Sequence, residues 1–173
     1  MQTLHVGKLF CRSFNLAITG LARTQANKEL SDVQLLALRF IQLHPKSSLQ
    51  QLAKGLMISS PAATKLVHRL TERGWVNRRS HPSDQRKWVL ELTDDGEQTN
   101  YNVQKLEEEL FEKAVSQLTE VEKQQLFLGL EAFVQVVSRE HSLEELCLQC
   151  GTDHQVHCSV AKESEDDVLP TVK

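Results

Sequence analysis

Two helix starts follow one another closely in the middle of the chain, and this pair constrains the fold more than any other feature. Ser48-Leu49-Gln50-Gln51 has the pattern of a capping box, in which the serine side chain accepts from the amide three residues on and the glutamine side chain returns to the serine amide. Leu49, Leu52, Ala53 and Leu56 then supply a short apolar stripe that ends around Gly55. Ser59-Ser60-Pro61 offers a second cap, with the proline in the first turn where its missing N–H has no helical partner to lose. Behind it Ala63, Leu66, Val67 and Leu70 stand at helical spacing until Gly74 closes the run. Two short helices joined through Leu56-Met57-Ile58 predict a helix-turn-helix, a motif whose second helix enters a DNA major groove.

That second helix must then carry a polar, basic outward face. With the apolar stripe turned inward, Pro61, Thr64, Lys65 and His68 face outward, flanked by Ala62, Arg69 and Glu72. Thr64 and Lys65 are placed to reach base edges, His68 and Arg69 to reach phosphates, and the amides near Ser59 and Ser60 point at a phosphate. Glu72 is a misfit expected to face solvent. The charge distribution agrees with this reading. Residues 46–90 hold nine bases and two acids, a net +7, inside a chain whose net charge is -3, so the remainder stands at -10. Such an island attracts a polyanion while the acidic remainder discourages indiscriminate adhesion.

The flanks complete an expected fold that is mainly α with a small β-hairpin wing: a winged helix-turn-helix with a helical dimerisation region. Leu4, Leu9, Phe10, Phe14, Leu16, Ala17, Ile18 and Leu21 make a first helix too apolar to stand alone, with Cys11 read as a small core hydrophobe. Ser31 caps a second helix carrying Val33, Leu36, Phe40 and Leu43, which His44-Pro45 stops. Trp75–Arg79 and Trp88–Leu92 read as strands around a polar stretch, 80–87. The tip of that hairpin carries Arg86 and Lys87 on a turn, the shape that lowers an arginine into a minor groove. Thr93 caps a long helix through Val103, Leu106 and Leu110, and Thr119 begins another with Leu126, Leu130, Phe133 and Val137. Both are more amphipathic than a lone domain needs. The expected division is an N-terminal dimerisation helix over 1–30, the winged helix-turn-helix over 31–93, C-terminal dimerisation helices over 94–141 and a Cys/His-rich tail over 142–173.

Gly74-Trp75-Val76-Asn77-Arg78 and Asp84-Gln85-Arg86-Lys87-Trp88-Val89-Leu90-Glu91-Leu92-Thr93-Asp94-Asp95-Gly96 resemble the G-[LW]-[VI]-x-R and D-x-R-x-x-x-[VL]-x-L-T-x-x-G signatures of the MarR family of winged-helix regulators. The resemblance covers about four-fifths of the chain. It implies a homodimer in which the N-terminal and two C-terminal helices intertwine, with two winged lobes straddling a pseudopalindromic double-stranded operator. It further implies that Asp84 braces the wing through an arginine such as Arg78, and that Arg86 enters the minor groove. The function expected is that of a DNA-binding regulator, a repressor relieved by a metal, an oxidant or a small-molecule effector.

The tail departs from that pattern. Cys147, Cys150, His154, His157 and Cys158 place three thiols and two imidazoles within twelve residues. The C-x-x-C step followed by Gly151 lets two thiolates face one ion, and zinc held by three thiolates and one imidazole is the simplest fit. An iron-sulfur centre, a redox dithiol and an incidental tail are the competing readings, whereas haem attachment is disfavoured because Gly151 stands where histidine is needed.

Other classes of function find little support. Seven glycines include no G-x-G-x-x-G or G-x-x-x-x-G-K, so the chain is not expected to be an enzyme. An N-terminus without a basic lead or apolar signal core, and no run of about 18 apolar residues, predict a cytoplasmic protein with no membrane partner. The stronger rival is a protein-interaction module on a winged-helix scaffold without DNA binding. Cations on both the second helix and the wing argue against it.

Overall fold

Capping determines where most helices of this protein begin. In the computed structural model, which describes residues 2–81 and 84–140 and the side chains of 6–80 and 88–137, Ser31, Ser48, Ser59 and Thr93 each accept a hydrogen bond from an amide of the helix that follows. The elements in order are α1 (Gln2–Phe14), a π-helical turn (Asn15–Gly20), α2 (Leu21–Ala26), α3 (Asp32–Leu43), α4 (Leu49–Gly55), α5 (Ser60–Glu72), β1 (Val76–His81), β2 (Asp84–Leu92), α6 (Asp94–Val115) and α7 (Glu120–Glu140). They divide into two compact units, Met1–Gln117 and Leu118–Lys173.

The core of the first unit is built on α3, which buries Leu35, Ala37, Leu38, Phe40 and Ile41. This helix packs against α4, β2 and α6, so one element supports the short helices, the hairpin and the long helix together. Leu52 and Ala53 of α4, Leu66, Val67 and Leu70 of α5, and Val76, Val89 and Leu90 of the hairpin fill the same interior. Gly55 is required where α4 meets α3, because a Cβ there would lie 2.1 Å from the Phe40 ring. Two side-chain links also join α3 to α6: the Arg39 guanidinium with the Glu107 carboxylate, and the Asn100 amide with the Gln42 carbonyl.

Strands β1 and β2 pair antiparallel, with Val76 opposite Leu92 and Ser80 opposite Trp88, and the register shifts at Ser80/His81. Ser47 adds a single bridge to the edge, its carbonyl accepting from the Leu90 amide at 2.8 Å. The strands run beyond the limits drawn from the apolar residues. A backbone ladder needs only N–H and C=O groups, so it continues into polar sequence that alternation does not mark.

The first helix also differs from expectation. It is interrupted by the π turn, where the Asn15 side-chain amide donates to the Cys11 carbonyl at 3.2 Å. Cys11 is exposed, not packed in the core of the chain. Val6, Leu9, Phe10 and Leu16 are exposed as well, while Ile18 and Ala22 turn inward and the Phe14 ring meets Phe111 of α6 edge-on at 6.1 Å. The second unit contributes α7, whose Phe127, Leu128, Phe133, Val134 and Val136 are exposed. No helix among the described residues is long and apolar enough to cross a membrane.

Candidate nucleic-acid interface

Helices α4 and α5 both end in the same hydrogen-bonded motif. The Ile58 amide donates to the Ala53 carbonyl at 3.0 Å and the Met57 amide to Lys54 at 3.1 Å; after α5 the Trp75 amide donates to Leu70 and the Gly74 amide to Thr71, each at 3.0 Å. Both are Schellman caps, which need a left-handed residue just past the helix. Gly74 meets the requirement at φ 72°, and Met57 meets it at φ 53° against the usual preference for glycine. The turn between α4 and α5 is therefore set by backbone hydrogen bonds that override the residue preference at Met57.

The start of α5 is equally defined. The Ser59 hydroxyl accepts from the Ala62 amide at 3.4 Å, and the Ser59 carbonyl accepts from the Ala63 amide at 2.9 Å. Ala63, Leu66, Val67 and Leu70 are buried, while Ser59, Ser60, Pro61, Thr64, Lys65, His68 and Arg69 are exposed. The outward face is thus the one drawn from the periodicity. The Thr64 hydroxyl donates to the Ser60 carbonyl at 2.9 Å, which leaves its oxygen as an outward acceptor. No ion pair engages Lys65 or Arg69 among the described residues. Glu72 does face solvent, and it also lies 3.2 Å from His68 Nδ1, a partner that competes with any phosphate for that imidazole.

A clasp holds the root of the hairpin. The Thr93 amide donates to the Trp75 carbonyl at 3.1 Å, its hydroxyl donates to the Gly74 carbonyl, and the same hydroxyl accepts from the Gly96 amide at 3.1 Å. Gly96 lies so close that a Cβ would come 2.1 Å from the Trp75 carbonyl oxygen. The two sequence signatures noted above are therefore two halves of one junction. Arg78 and Arg79 leave it exposed on β1. The Arg78 guanidinium stands 5.7 Å above the half-exposed Trp88 ring, and Arg79 pairs with Glu91 at 3.1 Å. The stack was not anticipated, although a cation and an aromatic near each other across an antiparallel pair are the signal for it. Asp84, Arg86 and Lys87 lie on β2, but their side chains fall outside the described residues, as do Cys147, Cys150, His154, His157 and Cys158 altogether. Among the described residues no group of three or more His, Cys, Asp or Glu is arranged to hold a metal ion.

Two capped short helices in succession, with an antiparallel hairpin rooted at the end of the second, define a winged helix-turn-helix protein. Residues 30–88 match the model of the MarR family. The HTH-type transcriptional regulator BilQ of Clostridium symbiosum is 35% identical over 92 residues, which span 53% of this chain and 64% of that relative. Solved structures share the architecture. RV1404 from Mycobacterium tuberculosis superposes with a TM-score of 0.73 at 22% identity, covering 78% of this chain and 92% of its own. FabT of Streptococcus pneumoniae, solved in complex with DNA, gives 0.67 at 19% identity, covering 80% and 99%.

Proposed function

We propose that the protein is a homodimeric regulator of transcription that binds double-stranded DNA at a pseudopalindromic site, and acts as a repressor relieved by an effector. The observation that carries this reading is the face of α5: Thr64, Lys65, His68 and Arg69 are exposed together, with Lys65 and Arg69 free of ion pairs among the described residues. A helix face that keeps cations unneutralised at the surface suits phosphates and base edges. The DNA complexes of FabT and of a Staphylococcus aureus MepR mutant, both of this architecture, support it. Exposed apolar side chains on α1 and on α7, considered separately, support a second copy of the chain as partner.

The test is selection of duplexes from a random library by the purified full chain, followed by fluorescence anisotropy on the selected duplex across a salt series. Lys65→Ala and Arg69→Ala are each expected to weaken binding. A lost phosphate contact flattens the slope of log affinity against log salt by about 0.9. Wild-type protein that enriches no sequence, and whose binding is untouched by either substitution, would leave the protein-interaction reading in place of this one.

A further inference from the structure

We propose that Thr64 selects an A·T pair in the recognition site: its hydroxyl oxygen accepts from the N6 amine of adenine in the major groove, and its methyl group packs against the methyl of thymine. This assignment rests on the reading of α5 as a DNA-binding helix and adds to it the identity of one base pair.

A free threonine hydroxyl both donates and accepts, so it discriminates poorly among base edges. The Thr64 hydroxyl is not free. Its single hydrogen is committed to the Ser60 carbonyl at 2.9 Å, within α5, and only lone pairs remain to face outward. In the major groove guanine presents the acceptors N7 and O6, and thymine presents the acceptor O4, so none of these atoms has a hydrogen to give. The exocyclic amines of adenine and cytosine do. The methyl of Thr64 separates these two, because an A·T pair offers it the thymine methyl and a G·C pair offers nothing equivalent. Turning the hydroxyl round to donate to guanine would break a hydrogen bond already made in the free protein. Lys65, the next residue, has the opposite character: three donors and no acceptor, which suits guanine O6 and N7. The two neighbours therefore cannot exchange roles.

The place of Thr64 on α5 suits a direct contact. It is the fifth residue of the helix, in the N-terminal part that meets base edges in a helix-turn-helix. Ser60, Pro61 and Ala62 are exposed just before it and are all short, so no long side chain in the first turn holds the helix away from the groove. Glu72 is the sole acid of α5 and stands at its far end, 3.2 Å from His68 Nδ1, which leaves the N-terminal half without negative charge.

The experiment selects duplexes from a random library with the full wild-type chain, with Thr64→Val and with Thr64→Ser, and identifies the base pair whose preference changes among them. Both substitutions alter an exposed side chain, and circular dichroism checks that the fold is kept. In every copy of that pair, adenine is then replaced by purine, which lacks the N6 amine, or thymine by uracil, which lacks the methyl. Wild-type affinity should fall about fivefold with purine, for one lost hydrogen bond, and about fourfold with uracil, for one lost methyl contact. Thr64→Val should be indifferent to purine and still sensitive to uracil, and Thr64→Ser should show the reverse. A G·C pair at the position that depends on Thr64, or equal purine sensitivity in wild type and Thr64→Val, would overturn the assignment. A wild-type chain that selects a sequence and is weakened by Lys65→Ala, but shares every base preference with the Thr64 variants, would overturn this assignment alone. A wild-type chain that selects no sequence would overturn it together with the DNA-binding reading.

Discussion

Met57 and Gly74 occupy equivalent positions after α4 and α5, both left-handed, yet only one is glycine. A Cβ in that region costs roughly 1 kcal/mol or more. Met57 is also largely exposed, so its side chain contributes little burial in return within the chain. Met57→Gly should therefore raise the stability of the chain by about 1 kcal/mol, read as a higher denaturant midpoint at unchanged m-value. Gly74→Ala should lower it by about as much, since nothing within 4 Å obstructs the added methyl and the backbone conformation is the whole penalty. On β2, Arg86→Ala is expected to weaken binding to the selected duplex and flatten its salt slope by about one unit for one lost phosphate contact. An unchanged affinity and slope would remove Arg86 from the interface.

At the scale of elements, the caps were the most legible part of the sequence. Ser31, Ser48, Ser59 and Thr93 all begin helices, because a side-chain oxygen at the right offset acts locally and survives any tertiary arrangement. The inward stripe of α5 was legible for a similar reason, as four apolar residues on one face leave a single way to bury them. The π turn at Asn15–Gly20 was not, nor was the exposure of Cys11, because both depend on how α1 meets its surroundings. The outer rungs of the hairpin ladder are polar, so apolar alternation does not mark them in the sequence. The junction between β2 and α6 gives a sharper test. Gly96→Ala forces a methyl against the Trp75 carbonyl and should cost about 3 kcal/mol, the upper end for overpacking, measured by chemical denaturation. In α7, backbone and side-chain hydrogen bonds from Thr119 hold the Glu122 carboxyl below its ordinary value. A carboxylate depressed in the folded state stabilises above its unfolded pKa and lets go as pH falls through its lowered one. Protection factors of the amides at the start of α7, taken against intrinsic exchange at each pH, should thus fall in acid, and Glu122→Gln should remove that dependence.

At the scale of the whole molecule, apolar surface is distributed in a way that a lone chain does not explain. Phe133, Val134 and Val136 are exposed on α7, and Leu9, Phe10 and Leu16 on the N-terminal helical segment. If a second copy covers these faces, Phe133→Asp should shift the sedimentation of the chain toward the monomer and weaken DNA binding through lost avidity. A wild-type monomer at micromolar concentration would dismiss the dimer outright. The candidate interface itself was only half legible. Periodicity identified the exposed side of α5, but the His68–Glu72 pair and the Arg78–Trp88 stack arise from side-chain choices that spacing does not dictate.

The clasp of Gly74 and Trp75 with Thr93 and Gly96 pins the two roots of the hairpin to each other and to the first turn of α6. Once both roots are fixed, the junction holds the paired strands in place independently of what lies beyond His81 and Asp84. The reach of the wing is in this sense a dial separate from the stability of the fold. Residues can be added to or removed from the tip, changing how far it extends, while α5 keeps its place.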